Sequence, residues 1–333
     1  MTSGTSHTNE AIRAELELVK QEAPAIENVR LIAAVPSLVR AEIMKTKYKQ
    51  LTVSCMFQPS YPNVPVVTEL RSKTLADTFL DRLSKVCDAE AKKLTGRPQT
   101  VHIIKFVKTF IEENPLCVCS EEISLLKKLL TGDHDEIKLK QKTSQIAVKV
   151  HQELYFIHLT LSVPETYPLT QVSLQIDEHN FPEFLRVNFQ AQAAEIARQC
   201  VHPPLKHNPK DPPFKPKSSV LPLCQYIINC VKTYPLEKCP LCLEKVLPAD
   251  PKNECATKGK QKTVKVYCGH LFHYICLNGY MKTPPFSEGK KCPACSKQIF
   301  HEKWKIAAEV MENRWAHKQA KQRELEEVVD FLD

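Results

Sequence analysis

Apolar residues recur along this chain with the two periods that build mixed α and β structure. Between residues 9 and 22, Ile12, Leu16 and Val19 fall at steps of four and three, which predicts an amphipathic helix with Asn9 as its cap. Leu51, Val53, Cys55 and Phe57 then alternate with Thr52, Ser54 and Met56, the period of a half-buried strand. In Tyr61-Pro62-Asn63-Val64-Pro65 two close prolines fix a stiff turn, so the strand Val66 to Leu70 begins after a corner. Thr74-x-x-Asp77 has the spacing of a capping box for a helix that turns Leu75, Phe79, Leu83 and Val86 inward and stops at Gly96 and Pro98. A further helix over 100–113 carries Ile103, Val107 and Phe110 inward and ends before Pro115.

The layout then repeats. Residues 120–131 give a short helix; Ile146, Val148 and Val150 form one alternating strand, and Tyr155, Ile157, Leu159 and Leu161 another. Tyr167-Pro168-Leu169-Thr170-Gln171-Val172 stands where the Tyr-Pro corner belongs, without its final proline, and the strand Val172, Leu174, Ile176 follows. Asn180, with Pro182 and Glu183 behind it, starts a helix with the face Phe181, Leu185, Phe189, Ile196 and Cys200. Six prolines between 201 and 217 make an extended surface connection, and a helix over 219–233 turns Leu223, Ile227 and Val231 inward. Near the end, 302–327 carries Trp304, Ala308, Met311 and Trp315 in one stripe, read as packing on the chain's own domains, before an acidic tail from Glu324 to Asp333.

Between these parts lies a stretch of another kind, in which metal-binding side chains rather than hydrophobic period set the pattern. Cys239-Pro-Leu-Cys242, Cys268-Gly-His270, His273-x-x-Cys276 and Cys292-Pro-Ala-Cys295 are four two-toothed half-sites. Six Cys and two His cannot be absorbed by one tetrahedral site, so two Zn2+ ions are implied. The chain therefore reads as α+β, with α/β domains over 1–116 and 117–235, a zinc module over 236–300, and a C-terminal helix and tail over 301–333. Only Tyr234 to Lys238 joins the second α/β domain to the zinc module, and a connection this short holds the module against that domain.

Composition changes this picture little. The 333 residues carry a formal charge of +8, which coordination of two Zn2+ by six thiolates brings to about +6. The excess is spread out, without the dense Lys/Arg stripe of a nucleic-acid surface. No apolar run reaches the roughly 18 residues of a membrane span, and the polar start reads as no targeting segment, so a soluble cytoplasmic or nuclear protein is expected. The cysteines outside the ligand set are then free thiols.

The ligand order, three Cys, two His, three Cys, resembles the RING finger subtype with two central histidines; PHD fingers and LIM domains fit less well. In that family the half-sites interleave as a cross-brace, which implies one ion on Cys239, Cys242, His273 and Cys276 and the other on Cys268, His270, Cys292 and Cys295. The helix, antiparallel strands, Tyr-Pro corner and two helices resemble the RWD domain, the non-catalytic relative of the ubiquitin-conjugating fold, present here twice. The double-RWD-plus-RING layout is similar to that of the ubiquitin ligase subunit of the Fanconi anaemia core complex, and RWD-containing RING ligases share the ligand order.

The resemblance implies a RING-type ubiquitin ligase. Such a protein binds a ubiquitin-conjugating enzyme charged with ubiquitin, and its RWD-like units recruit a protein substrate. Leu241, Tyr280 and Pro293 match the positions that line the conjugating-enzyme groove in the family, and Ser296 occupies the place where active ligases often carry Arg or Lys against ubiquitin, with Lys297 one residue later. A conjugating-enzyme active site is not legible in either RWD-like unit: Cys87 sits within a helix, and Cys200 precedes His202-Pro203-Pro204 rather than following such a loop. Cys200, His202 and His207 lack a fourth partner for a third metal. The alternative from a different class is a non-catalytic zinc-bound scaffold.

Overall fold

A computed structural model describes residues 3–204, 212–252, 262–286, 289–300 and 308–332. The first half runs α1 (Ser3–Glu22), β1 (Val29–Val35), β2 (Leu38–Thr46), β3 (Lys49–Met56), β4 (Val67–Arg71), α2 (Asp77–Lys93) and α3 (Thr100–Glu113). The four strands form an antiparallel sheet in sequence order. Its alternation works as the pattern requires: Val39, Cys55 and Thr68 lie side by side on the buried face, as do Ala41, Val53 and Leu70. Ile12, Leu16 and Val19 of α1 and Ile103, Ile104 and Val107 of α3 complete the core over that face.

The second half repeats the order: α4 (Ser120–Leu129), β5 (Glu136–Lys140), β6 (Gln145–Gln152), β7 (Tyr155–Ser162), β8 (Ser173–His179), α5 (Glu183–Val201) and α6 (Val220–Thr233). Its sheet again has its strands in chain order. Tyr155, Ile157, Leu159 and Leu161 are all buried, and β6 alternates in the same way. Both Tyr-Pro bonds, Tyr61-Pro62 and Tyr167-Pro168, are cis.

A buried Glu–Tyr pair recurs at the same place in each half. Tyr61 Oη donates to Glu15 Oε2 at 2.6 Å, and Glu15 Oε1 accepts the amides of Gln99 (2.9 Å) and Thr100 (2.6 Å) at the start of α3. Tyr167 Oη donates to Glu122 Oε2 at 2.5 Å while accepting the amides of Ser219 (2.8 Å) and Val220 (3.3 Å) at the start of α6, and Glu122 Oε1 accepts the Leu221 amide at 2.9 Å. Each helix start, which has amides without intrahelical partners, is thus satisfied by a carboxyl from the first helix of its half. Burial pushes the Glu122 carboxyl above the ordinary glutamate range, against the hydrogen bonds it accepts from Tyr167 and from the Leu221 and Val220 amides.

Several sequence expectations are corrected. Thr74 does not cap α2; the helix starts at Asp77, and Ser72 Oγ instead accepts the amides of Thr74 and Leu75. Starting there turns Leu80, Leu83, Cys87 and Ala91 inward, leaves Phe79 on the flank and exposes Val86. Asn9 is no cap either, because α1 begins at Ser3. In α5, which begins at Glu183, the fully buried positions are Leu185, Phe189, Ala193 and Ala197, with Ile196 and Cys200 only half-buried. Asn180 does not cap it; its side chain bridges the β6–β7 turn, accepting from the Phe156 amide (2.8 Å) and donating to the Leu154 carbonyl (2.6 Å). Phe57 and Phe110 are half-buried rather than central.

Two compact units divide the chain: Met1–Val150, His158–Asp177 and Asn188–Ile228 in one, His151–Ile157, Glu178–Val187 and Asn229–Asp333 in the other. The second therefore combines the zinc module with the turn of the β6–β7 hairpin. It also contains β9 (Thr263–Lys265), β10 (Leu271–His273), α7 (Tyr274–Met281) and α8 (Ala308–Leu332). On α8, Met311 and Trp315 are half-buried, and none of the described side chains from 309 to 326 is buried. Trp304 lies outside the described residues, as does residues 205–211 of the Pro-rich connection. No described helix is long and apolar enough to cross a membrane.

Candidate metal centre

The two Cys-x-x-Cys segments are built to one plan. In the first, the Cys239 amide donates to the Glu244 carbonyl (2.8 Å), the Leu243 amide to the Cys239 carbonyl (2.8 Å) and the Val246 amide to the Glu237 carbonyl (3.0 Å). In the second, the Cys292 amide donates to Lys297 (2.8 Å), the Ser296 amide to Cys292 (2.8 Å) and the Ile299 amide to Lys290 (2.7 Å). Leu243 and Ser296 occupy the same left-handed position, φ 65° and 57°, which lets the chain fold back so that both thiols of each loop join one cluster. Val246 and Ile299, the equivalent residues beyond, are buried and anchor each loop.

Between these loops, β9 and β10 pair antiparallel with Thr263 opposite His273 and Lys265 opposite Leu271. Their turn carries Cys268, Gly269 and His270; Gly269 stands at φ 100°, where a side chain would be strained. His273 ends β10, and Cys276 lies in the first turn of α7, whose Leu277 is buried. The result is two clusters, Cys239, Cys242, His273 and Cys276 in one and Cys268, His270, Cys292 and Cys295 in the other, each with its ligand atoms all within 4.8 Å of one another.

The spacing fits zinc. Bonds of about 2.3 Å to sulfur and about 2.0–2.1 Å to nitrogen, arranged tetrahedrally, place S and N about 3.6 Å apart. His273 Nδ1 lies 3.2 Å from Cys242 Sγ and 4.0 Å from Cys276 Sγ; His270 Nδ1 lies 3.5 Å from Cys268 Sγ and 3.6 Å from Cys292 Sγ. His273 Nε2 faces the Lys245 carbonyl at 3.1 Å, so it carries the proton and leaves Nδ1 as the donor to a metal.

Thiol electrostatics agree. Burial and the neighbouring thiols push Cys276 up to about 12 and Cys292 up to about 11. Cys239 is lowered: burial acts to raise it, but the amides of Cys242, His273 and Leu241 outweigh that. Cys295 is lowered by the Lys297 amide. Three thiols this close cannot all ionise without a cation among them, a demand that a divalent metal beside the neutral imidazole meets.

The remaining sequence candidates fall around these clusters. Leu241 is half-buried in the first loop and Pro293 exposed in the second. Tyr280 is half-buried on α7; its hydroxyl donates to the Lys291 carbonyl at 2.8 Å, and the Lys290 ammonium lies 4.7 Å over its ring. Ser296 and Lys297 are exposed, and neither is a ligand. Two apolar side chains that the sequence reading passed over are also exposed here: Leu243, 70% accessible despite its left-handed backbone, and Ile275 on α7. The left-handed backbone at Leu243 is not legible in the sequence.

Elsewhere, Cys87 is buried, and that burial pushes its thiol up to about 12. Cys200 and His202 join no metal-competent cluster among the described residues, and His207 lies outside them. All described cysteines are free thiols.

Comparison with known families places these parts. Residues 4–111 match the RWD domain, and residues 253–295 match the zinc finger of C3HC4 type (RING finger). The RING match takes in the ligands from Cys268 to Cys295 and also Cys255, which lies outside the described residues; the first loop, with Cys239 and Cys242, precedes it. No curated protein matches the chain. The chain thus contains an RWD domain and, towards its C-terminal end, a RING finger with two Cys/His clusters that could bind metal.

Proposed function

We propose that this protein is a RING-type ubiquitin ligase whose two clusters each hold one zinc ion in the cross-braced, two-histidine arrangement, and whose second half is a divergent RWD-like unit. The second-half reading is supported by the repeated element order and by the Glu122–Tyr167 pair, which stands at the start of α6 as Glu15–Tyr61 stands at the start of α3. Four protein donors in each cluster leave no open position on a metal, so zinc would shape the loops rather than activate water. Function then rests on what the loops present.

The observation that carries the ligase reading is that both loops bring apolar groups to the surface beside their ligands: Leu243 exposed and Leu241 half-buried on the first, Pro293 exposed on the second, with Tyr280 tied to the second through Lys291. Such a surface suits a charged conjugating enzyme, and holding that enzyme and its thioester-linked ubiquitin in a reactive geometry for a substrate lysine is catalysis by positioning. The RWD-like units would recruit the substrate or a further partner. Purified protein mixed with a panel of conjugating enzymes makes ubiquitin chains or modifies itself, and Leu241→Ala abolishes this while zinc content stays at two; silence with every enzyme in the panel sinks the reading.

A second reading, a non-catalytic zinc scaffold, is favoured by one feature. Ser296 holds the left-handed turn position and cannot supply a cationic fork, while Lys297, exposed beside it, carries a cation in that turn. If the chain is a ligase, Lys297→Ala slows ubiquitin discharge about tenfold, equivalent to about 1.4 kcal/mol, and Ser296→Ala leaves it unchanged. Equal rates for both variants show that the turn plays no part.

A further inference from the structure

We propose that the turn of the β6–β7 hairpin is a positioning element for the first ligand cluster, so that the second α/β half sets how firmly that cluster holds zinc. This rests on the reading of Cys239, Cys242, His273 and Cys276 as a zinc site and goes beyond it.

The connection is a short strap, Lys245 to Pro248, that follows the first Cys-x-x-Cys loop. Its inner side reaches the ligands: the Lys245 carbonyl faces His273 Nε2 at 3.1 Å, and the Val246 amide closes the loop on Glu237 at 3.0 Å. The outer side reaches the hairpin. Lys245 Nζ lies 2.8 and 3.1 Å from the two carboxyl oxygens of Glu153, and the Tyr155 hydroxyl donates to the Pro248 carbonyl at 2.8 Å. Apart from the strap, Lys232 Nζ of α6 donates to the His151 carbonyl at 2.7 Å.

These contacts differ in weight. Glu153 and Lys245 are each partly exposed, and such an ion pair contributes little by itself. Tyr155 is buried and its ring packs 4.9 Å from Phe181, so its hydroxyl is held in place before the strap meets it. Glu153 stands at φ 53° in the turn and Tyr155 begins β7 two residues on, so the acid and the tyrosine both meet the one strap. The carbonyl opposite a ligating imidazole fixes the ring's tautomer and orientation, and outer partners of this kind change metal affinity by about 10–100-fold. Here that carbonyl belongs to the residue whose side chain the hairpin grips.

Zinc release from the full-length protein to a chromogenic chelator tests this. With two ions bound, one release phase is assigned to the first cluster by its absence in Cys242→Ser. In Tyr155→Phe combined with Glu153→Gln, that phase accelerates about tenfold and the other keeps its rate. Glu153→Lys alone accelerates it, and adding Lys245→Glu restores the wild-type rate. Unchanged release in the double variant overturns the proposal, and so does equal acceleration of both phases, which marks general loosening. Glu153→Gln, a substitution in an exposed turn, keeps the test open if Tyr155→Phe does not fold. Wild-type protein that retains fewer than two ions overturns the zinc reading beneath it, a result distinct from two ions with unaltered kinetics.

Discussion

The two α/β halves share one frame and use it differently. In the first, the carboxyl of Glu15 meets the α3 amides directly, and Tyr61 donates to that carboxyl. In the second, Tyr167 stands between Glu122 and the start of α6 and itself accepts two amides. Their equivalent hairpins diverge as well: the first turns at Lys47 and Tyr48, whose ammonium and ring lie 5.9 Å apart, while the second turns at Glu153 and Leu154 and reaches the zinc module through Glu153 and Tyr155. The buried pair is common to both halves; the hairpin turn is where they differ.

The largest effect comes from removing metal. Structural zinc contributes on the order of 10 kcal/mol to folding small zinc modules, so a chelator unfolds the loops around the two clusters and, through Tyr155 and Glu153, releases the β6–β7 turn. Hydrogen exchange then rises at the amides of 151–157 and stays unchanged at β3; equal loss of protection in both hairpins breaks the distinction between the halves.

Next in size is Tyr167→Phe. It removes the hydrogen bond to Glu122 and leaves the Ser219 and Val220 amides without their acceptor, a cost of about 3–5 kcal/mol. Tyr61→Phe removes one hydrogen bond while Glu15 keeps both amides, and costs about 1–3 kcal/mol. Urea unfolding of the two variants ranks them, and a larger loss for Tyr61→Phe contradicts the wiring described.

The smallest effect is one of pH. Glu122 titrates higher in the folded chain than in the unfolded one because it is buried. Its contribution to stability is therefore complete below the ordinary glutamate value and is lost as pH rises through the folded value. Protection of the Leu221 amide, corrected for intrinsic exchange, should fall across that window in the wild type and lie flat in Glu122→Gln.

What the sequence revealed depended on whether the determinant was local. Strand alternation in β3, β6 and β7 is a period-two pattern that burial enforces, and the helix over Thr100–Glu113 carried its own period and stop. The β1 run Val-Arg-Leu-Ile-Ala-Ala-Val lacks clean alternation, β5 alternates but over only five residues, and neither these nor β2 stood out as strands. α2 was misphased because a Thr-x-x-Asp spacing occurs where Ser72, not Thr74, satisfies the entering amides. The eight ligands stood out because few other roles require Cys and His at those steps. The strap could not be foreseen: Tyr155 and Pro248 lie 93 residues apart, and nothing in either segment announces the other.

The central claim is that the loops around the two clusters present a charged conjugating enzyme for transfer. The most direct measurement is single-turnover discharge of ubiquitin from conjugating enzymes onto free lysine, with and without the zinc-loaded full-length protein. The account predicts acceleration with at least one enzyme, lost in Leu241→Ala at unchanged zinc content. Discharge at the uncatalysed rate with every enzyme, from protein holding two zinc ions, would contradict it.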